Sequence, residues 1–337
     1  MTAIRKRVLA FVDLPQDVEA MAPVLAPLAG RRDGWELRTA VSRWLKADHP
    51  DAVAQLEASG LRFAFVRRRE VIEGRAPDLA RVDAVLTASE SSHPAHAAGH
   101  ALALRAKAMG LRAYTLQHGL ENVGLGLGDE GEIASDLFFC WFPPEMNAQF
   151  PEAVRARLCH VGRPRPAPRP AAEPRYAVGV FENLHAERYS EADRAAFVEG
   201  FEALAATGAP ILLRPHPAGR WSAGLALADR SNVTVEAGGS GQAAVDASAR
   251  IVTTPSTVVL DAAQAGRPVA LAGEGGEIYR PFPVLRAPQD WPAFAAASDD
   301  QASERTAFLD RVLMNGDATG RIISRIEDDL KRRLAPR

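Results

Sequence analysis

Three short segments hold the side chains in this sequence whose types and spacing suit chemistry. In ILLRPHPAGR, Ile211 to Arg220, an apolar run ends at Leu213 and is followed at once by Arg214, His216 and Arg220. Cations just past a strand's carboxyl end suit a phosphate, because guanidinium groups make charge-assisted bonds and ligands collect at that edge of parallel sheets. A polar loop turned by its prolines is the plainer account. In IVTTPSTVVLDAAQAGRPVAL, a strand runs into hydroxyls and then a helix, so Thr254 or Ser256 can cap a helix starting near Thr257. Helix amides and the dipole attract anions, and hydroxyls reinforce the site, although ordinary capping uses the same residues. In AYTLQHGLENVGLGLGDEGE, His118 stands directly beyond a strand that ends at Leu116, beside Gly119. That placement suits general-base work, and it equally suits a structural hydrogen-bonder. Glu121, Asp129 and Glu132 follow closely, and each can orient His118 or be the base itself.

Other patterns are set aside on physical grounds. Gly126, Gly128 and Gly131 satisfy GxGxxG, but they do not follow the first strand, and Asp129 and Glu130 would repel a pyrophosphate. Gly124 to Gly131 reads instead as a glycine-rich loop at the mouth of a cleft. His93, His96 and His100 fall on one expected helix, yet no HExxH pattern or cysteine pair completes a metal site. The sequence also has no Asp-x-Asp pair and no P-loop, so no metal and no cofactor are expected.

The elements that must position these residues alternate. Strands are expected at Val8–Val12, Trp35–Val41, Arg62–Val66, Ala84–Thr87, Ala113–Leu116 and Leu137–Trp141, with helices near 18–28, 51–58 and 94–109 between them. A proline-rich stretch from Gly162 to Arg175 interrupts the rhythm. It then restarts with strands at Ala177–Phe181, Pro210–Arg214, Val233–Val235, Arg250–Thr253 and Pro268–Ala272, and helices at 191–206, 241–247 and 257–265. Ile322, Ile323, Ile326 and Leu330 recur at helical spacing in a final amphipathic helix, 317–334. The fold class read from this is α/β, with two doubly wound Rossmann-like domains facing a cleft. The boundaries are 1–163 for an acceptor domain, 164–175 for the linker, 176–316 for a nucleotide-donor domain and 317–337 for the C-terminal helix.

Composition narrows the function classes. The 337 residues are 47% hydrophobic, 24% charged and 7% aromatic, enough aliphatic material for two cores. Forty Lys plus Arg against 42 Asp plus Glu leaves a formal charge of -2, with no global field to gather nucleic acid. Arg67–Arg69 and Lys331–Arg333 read as solvated charge. Two cysteines, Cys140 and Cys159, cannot make a disulfide framework, which fits a reducing cytoplasm. The apolar run after the basic start is broken at Asp13, too short for a signal peptide, and no stretch reaches the length of a membrane span.

Taken together, QHG in the first half, RPHP in the second, and TTPST followed by a helix and GRPV resemble the GT-B glycosyltransferases of bacterial surface-polysaccharide synthesis. The nearest likeness is to CDP-glycerol glycerophosphotransferase-like and capsule-type transferases. The HP pair and downstream Ser/Thr pair are also similar to those of the sialyl- and Kdo-transferases that use CMP-sugars. The resemblance implies that His216 contacts the donor phosphate and that Ser256 and Thr257 bind the nucleotide phosphate, beside Arg214 and Thr254. It implies either His118, as the QHG histidine, or Asp129, as the first acid of an acidic-acidic-glycine motif, as the base, with Glu121 nearby. Thr253–Thr257 stand where the polyol-phosphate family often has an acidic and aromatic turn before paired serines, which favours a CMP-sugar over a CDP-polyol. The expected activity is metal-independent transfer from a cytidine-activated donor to a glycan or lipid-linked acceptor, in the cytoplasm or peripherally at the inner membrane. The alternatives are a nucleotide-sugar epimerase or hydrolase of the same fold and a two-domain ligand-binding protein.

Overall fold

The computed structural model describes residues 5–31, 34–88, 90, 94–120, 133–147, 150–164, 173–184, 189–216, 229–236, 238, 240–300, 302–314 and 316–334. The chain forms two compact units, Met1–Ala167 with Val312–Arg337, and Pro168–Arg311.

In unit 1 the strands are β1 (Lys6–Val12), β2 (Trp35–Ser42), β3 (Ala64–Val66), β4 (Ala84–Thr87), β5 (Arg112–Leu116), β6 (Leu137–Cys140) and β7 (Leu158–His160). Its helices are α1 (Pro15–Gly30), α2 (Arg43–Asp48), α3 (Pro50–Ala58), α4 (Arg68–Ile72), α5 (Ala97–Ala108) and α6 (Glu152–Arg155). Every pairing in the sheet is parallel, in the order β3-β2-β1-β4-β5-β6-β7. The order reverses direction between β1 and β4, which makes the gap beyond their carboxyl ends a topological switch point, where ligands of doubly wound sheets bind. The sheet is covered on both faces, which explains the unbroken apolar run of β1. Val8, Ala10 and Val12 join one core with α1, while Leu9 and Phe11 join the other with α5.

Unit 2 repeats the plan. Its strands are β8 (Tyr176–Glu182), β9 (Ile211–Pro215), β10 (Val233–Val235), β11 (Ser248–Thr253), β12 (Val269–Ala272) and β13 (Val284–Leu285). Its helices are α7 (Glu191–Ala205), α8 (Gly241–Asp246), α9 (Val258–Gln264), α10 (Asp290–Ala296) and α11 (Ala302–Leu313), the last running to the unit's edge. The parallel order β10-β9-β8-β11-β12-β13 puts its switch point between β8 and β11.

The last helix, α12 (Ala318–Leu334), returns to unit 1, where Ile322, Ile323, Ile326 and Leu330 enter the core beside α1. Its polar side is tied down as well. Asp329 accepts two bonds from Arg112, at 2.6 and 2.8 Å, and one from the Tyr114 hydroxyl at 2.8 Å, and Lys6 reaches Glu327 at 3.2 Å. The sequence reading passed over α2, α4, α6, α10, α11 and the short strands β7 and β13. Most of these are too brief to display a period of their own.

Candidate functional site

The carboxyl edge of unit 1 gathers buried polar side chains from four strands. Gln117 and His118 follow β5. The Gln117 carboxamide accepts from the Trp141 amide at 2.8 Å and donates to the carbonyls of Gly119 at 2.8 Å and Leu120 at 3.3 Å. This fully buried amide thus locks the turn that carries His118 against the end of β6.

The His118 side chain is 3% exposed. Its Nδ1 meets the carbonyl oxygen of Ala88, just past β4. A carbonyl only accepts, so Nδ1 carries the proton and Nε2 is left with its lone pair. Among the described residues Nε2 has no partner. Asp17 Oδ1 lies 3.3 Å from Nδ1, and the His96 ring packs edge-on with centroids 5.2 Å apart. Burial lowers the His118 pKa from 6.5 to about 4, against the pull of the Ala88 carbonyl, so the ring is neutral at physiological pH. The sequence reading assigned its orientation to Glu121, Asp129 or Glu132. The groups seen around it are Ala88 and Asp17. Glu121, Asp129, Glu132 and the rest of the glycine-rich segment lie outside the described residues, as do His93 and Arg220.

At the carboxyl end of β1 stands a carboxylate that the sequence reading used only as the break in an apolar run. Asp13 follows β1 and is 1% exposed. Its Oδ2 accepts from Arg68 Nε at 2.9 Å, while Oδ1 is buried with no partner among the described residues. Asp17 Oδ2 accepts from the amides of Asp13 at 3.0 Å and Leu14 at 2.9 Å, which fixes the β1–α1 turn. The Ser42 hydroxyl donates to the Asp13 carbonyl at 3.2 Å. Burial raises the Asp13 pKa from 3.8 to about 6, opposed by Arg68 and assisted by Asp17. Arg68 corrects the reading of Arg67–Arg69 as solvated charge. Arg67 and Arg69 are exposed, but Arg68 stacks over Trp44 at 4.8 Å and bonds the Ala95 carbonyl as well as Asp13. A helix of one turn hid the inward-facing member of the triplet.

A second missed carboxylate, Glu90, lies beyond β4 and is 6% exposed. It accepts from the Ser135 amide at 2.5 Å and the Ser135 hydroxyl at 2.6 Å.

In unit 2, Arg214 ends β9 side by side with Pro215, and His216 follows, half-buried. Arg214 is 8% exposed, donates to the Gly238 carbonyl at 2.6 Å and sits 3.6 Å from Glu236. Its charge is therefore shared with the turn after β10. The hydroxyl segment after β11 divides its work. Thr254 is buried, and its hydroxyl accepts from the Asn183 amide at 2.9 Å while its own amide donates to Phe181 at 3.2 Å. It stitches β8 to β11 at the switch point, and so is not the helix cap expected from the sequence. Ser256 stands just before the N-cap, Thr257, and is not the cap either: its oxygen accepts from the Val258 amide at 3.3 Å, a serine turn, and lies 3.0 Å from the Thr253 hydroxyl. The helix starts at Val258, and the Thr257 hydroxyl makes no cap bond.

Phe139 registers with Cys159, so Cys140 and Cys159 point to opposite faces, and both are free thiols. No three His, Cys, Asp or Glu side chains converge as a metal site among the described residues. No helix among them is long and apolar enough to cross a membrane.

No protein-family model matches the chain, and no curated protein matches it. Solved structures do. The UDP-GlcNAc 2-epimerase from Neisseria meningitidis bound to UDP-GlcNAc superposes with a TM-score of 0.69 at 12% identity, over 96% of this chain and 100% of that one. The glycotransferase of kitacinnamycin gives 0.66 at 13% identity over 97% and 99%, and the calicheamicin glycosyltransferase CalG4 gives 0.59 at 17% over 99% and 100%. At such identities the likeness is one of fold, two Rossmann-like units in the GT-B arrangement of strands, and that fold is common to transferases and epimerases.

Proposed function

We propose that the chain is an enzyme acting on a nucleotide-activated sugar, and specifically a metal-independent glycosyltransferase that moves a sugar from a cytidine donor, a CMP-sugar above a CDP-polyol, to a hydroxyl of a surface glycan or lipid-linked acceptor. The observation that carries the reading is His118. Its proton is pinned to a carbonyl on Nδ1, and at the carboxyl edge of a parallel sheet its Nε2 lone pair has no partner among the described residues. Such a nitrogen receives an acceptor hydroxyl, and His118 itself, Asp129 or Glu121 then takes the proton. In unit 2, His216 contacts the donor phosphate, Ser256 and Thr257 bind the nucleotide phosphate with Arg214 behind them, and Thr254 holds the strands that present them. Cationic and hydroxyl groups stabilise the charge that develops on the departing phosphate. A CMP leaving group carries less charge than a diphosphate, in keeping with a sequence that lacks an Asp-x-Asp pair.

An epimerase acting on a UDP-sugar is the second reading. It is favoured by the buried carboxylates Asp13, Asp17 and Glu90, since epimerisation next to an anomeric centre requires a group that removes a proton from carbon. Thermal-shift titration with CMP, CDP, UDP and GDP, with and without magnesium, tests both. A ligand at about one hundred times its Kd adds ~2.7 kcal/mol to apparent stability. A magnesium-independent shift with CMP or CDP, abolished by His216→Ala, is the expected result. A UDP preference, with nucleotide release that needs no added acceptor, selects the epimerase. No shift with any nucleotide overturns both readings.

A further inference from the structure

The tautomer of His118 depends on its contact with the Ala88 carbonyl, and both halves of that contact are held by buried polar groups that the proposed chemistry leaves unused. On the histidine's side, Gln117 is fully buried. Its carboxamide oxygen accepts from the Trp141 amide at 2.8 Å, and its nitrogen donates to the carbonyls of Gly119 at 2.8 Å and Leu120 at 3.3 Å. The Gln117 main-chain amide also donates to the Phe139 carbonyl at 3.0 Å, so backbone and side chain both tie the turn to β6. On the carbonyl's side, Ala88 stands between two anchors. The Thr87 and Thr115 hydroxyls, opposite each other in the β4–β5 register, lie 2.9 Å apart and are closed to solvent. Just past Ala88, Glu90 accepts from the Ser135 amide at 2.5 Å and from the Ser135 hydroxyl at 2.6 Å, one bond to each carboxylate oxygen. Burying polar groups is costly unless they are bonded, and a fully bonded buried network rigidifies whatever it surrounds. What this one surrounds is the meeting of His118 with Ala88.

We propose that Gln117 and Glu90 are positioning residues for His118: Gln117 fixes the turn that bears the ring, Glu90 and the Thr87–Thr115 pair fix the carbonyl opposite it, and together they keep Nδ1 protonated and Nε2 an acceptor. This rests on the transferase role given to His118 above. Neither residue exchanges a proton with the ligand, since Gln117 is an amide and each Glu90 oxygen is engaged by Ser135. The other groups facing the ring set what happens when the frame is loosened. His96 packs edge-on against it, and Asp17 Oδ1 lies 3.3 Å from Nδ1. Released from Ala88, the Nδ1–H turns to Asp17, and a carboxylate partner favours the charged ring over the neutral one. A loosened frame therefore converts an acceptor into a cation, which can no longer receive an acceptor hydroxyl.

The test reads His118 directly, by 15N-imidazole NMR of the full chain against pH, beside turnover of the donor sugar of whichever nucleotide the thermal-shift titration selects. In the wild type the ring is expected to hold the Nδ1–H tautomer and to titrate well below 6.5. Gln117→Met and Glu90→Leu remove the bonds at similar volume. Each should mix the tautomers, raise the ring's titration by about one pH unit and lower kcat about tenfold, with nucleotide affinity unchanged. Glu90→Gln keeps an acceptor for the Ser135 amide and offers a donor to the Ser135 hydroxyl, so ring and kcat should stay as in the wild type. The double variant Thr87→Val/Thr115→Val removes both hydroxyls at constant shape, a change nearly neutral for stability, and should shift the ring in the same direction as Glu90→Leu. A ring that keeps its tautomer and titration in both Gln117→Met and Glu90→Leu overturns the proposal. So does loss of kcat in Glu90→Gln with the ring unchanged, which makes Glu90 a proton carrier. Turnover indifferent to His118→Gln removes the functional reading of His118 instead, so the two failures are distinct. Should Glu90→Leu not fold, Gln117→Met and the threonine pair decide the matter by the same readout.

Discussion

The Asp13 and His118 shifts act in opposite directions on stability, and that opposition can be measured without knowing the substrate. The folded Asp13 carboxyl has a pKa of about 6 against an ordinary 3.8. The folded state therefore binds this proton more tightly than the unfolded chain, and the stabilisation it gives is present at low pH and lost as pH rises through 6. Going from about pH 7.5 to about pH 4.5, Asp13 should add about 2 kcal/mol. His118 does the reverse. Its folded pKa of about 4 lies below the ordinary 6.5, so its contribution is full above 6.5 and fades as pH falls toward 4. Over the same interval it should remove about 2.5 kcal/mol. The wild-type cluster is thus nearly balanced in acid, and Asp13→Asn takes away one side of the balance. Urea unfolding of wild type and Asp13→Asn at the two pH values reads the difference, since all other titrating groups are common to both proteins. Asp13→Asn should lose about 2 kcal/mol more than wild type on acidification, and His118→Gln should lose about 2.5 kcal/mol less. Parallel pH dependences for wild type and Asp13→Asn would refute the claim that this carboxyl is desolvated.

Two further substitutions probe the scaffold. Asp329→Asn weakens the bidentate clasp from Arg112 and the Tyr114 bond that hold α12 to β5. Thermal unfolding should show a loss of about 2 kcal/mol, the scale of a charge-assisted pair. Gly162 and Gly208 share a left-handed backbone, both at φ +76, but a Cβ on Gly162 would stand 2.0 Å from the Leu313 carbonyl oxygen and one on Gly208 would meet nothing within 4 Å. Gly208→Ala should therefore cost about 1 kcal/mol of conformational strain alone, and Gly162→Ala clearly more, measured as the difference in urea midpoint.

The fold was legible because burial on both sheet faces writes itself into composition. A parallel strand such as VLAFV must be apolar at every position, and the helices between strands must be long enough to cross back, so Val8–Val12, Trp35–Val41 and Ala84–Thr87 announce themselves. The amphipathic spacing of Ile322, Ile323, Ile326 and Leu330 foretold a helix, but not which unit would receive it. That depends on Lys6, Arg112 and Tyr114, which are some two to three hundred residues away in sequence.

The candidate site was legible only where a residue type is uncommon. A histidine or an arginine after an apolar run attracts notice, and His118, Arg214 and His216 became candidates on that basis. An aspartate after such a run looks like any strand's end, and only the strand order shows that β1 and β4 flank the switch point, the edge at which doubly wound sheets in general take their ligands, and that Asp13 follows β1 there. The same geometry separates roles that the sequence merged. Thr254 and Ser256 are two residues apart and carry the same functional group. Yet one is buried in the seam between β8 and β11, while the other turns the chain into α9 and stays partly open. Accepting from an amide leaves a hydroxyl its own O–H to donate, so burial is what separates the two: Thr254 is closed off from solvent, whereas Ser256 and its neighbour Thr257 are half-buried.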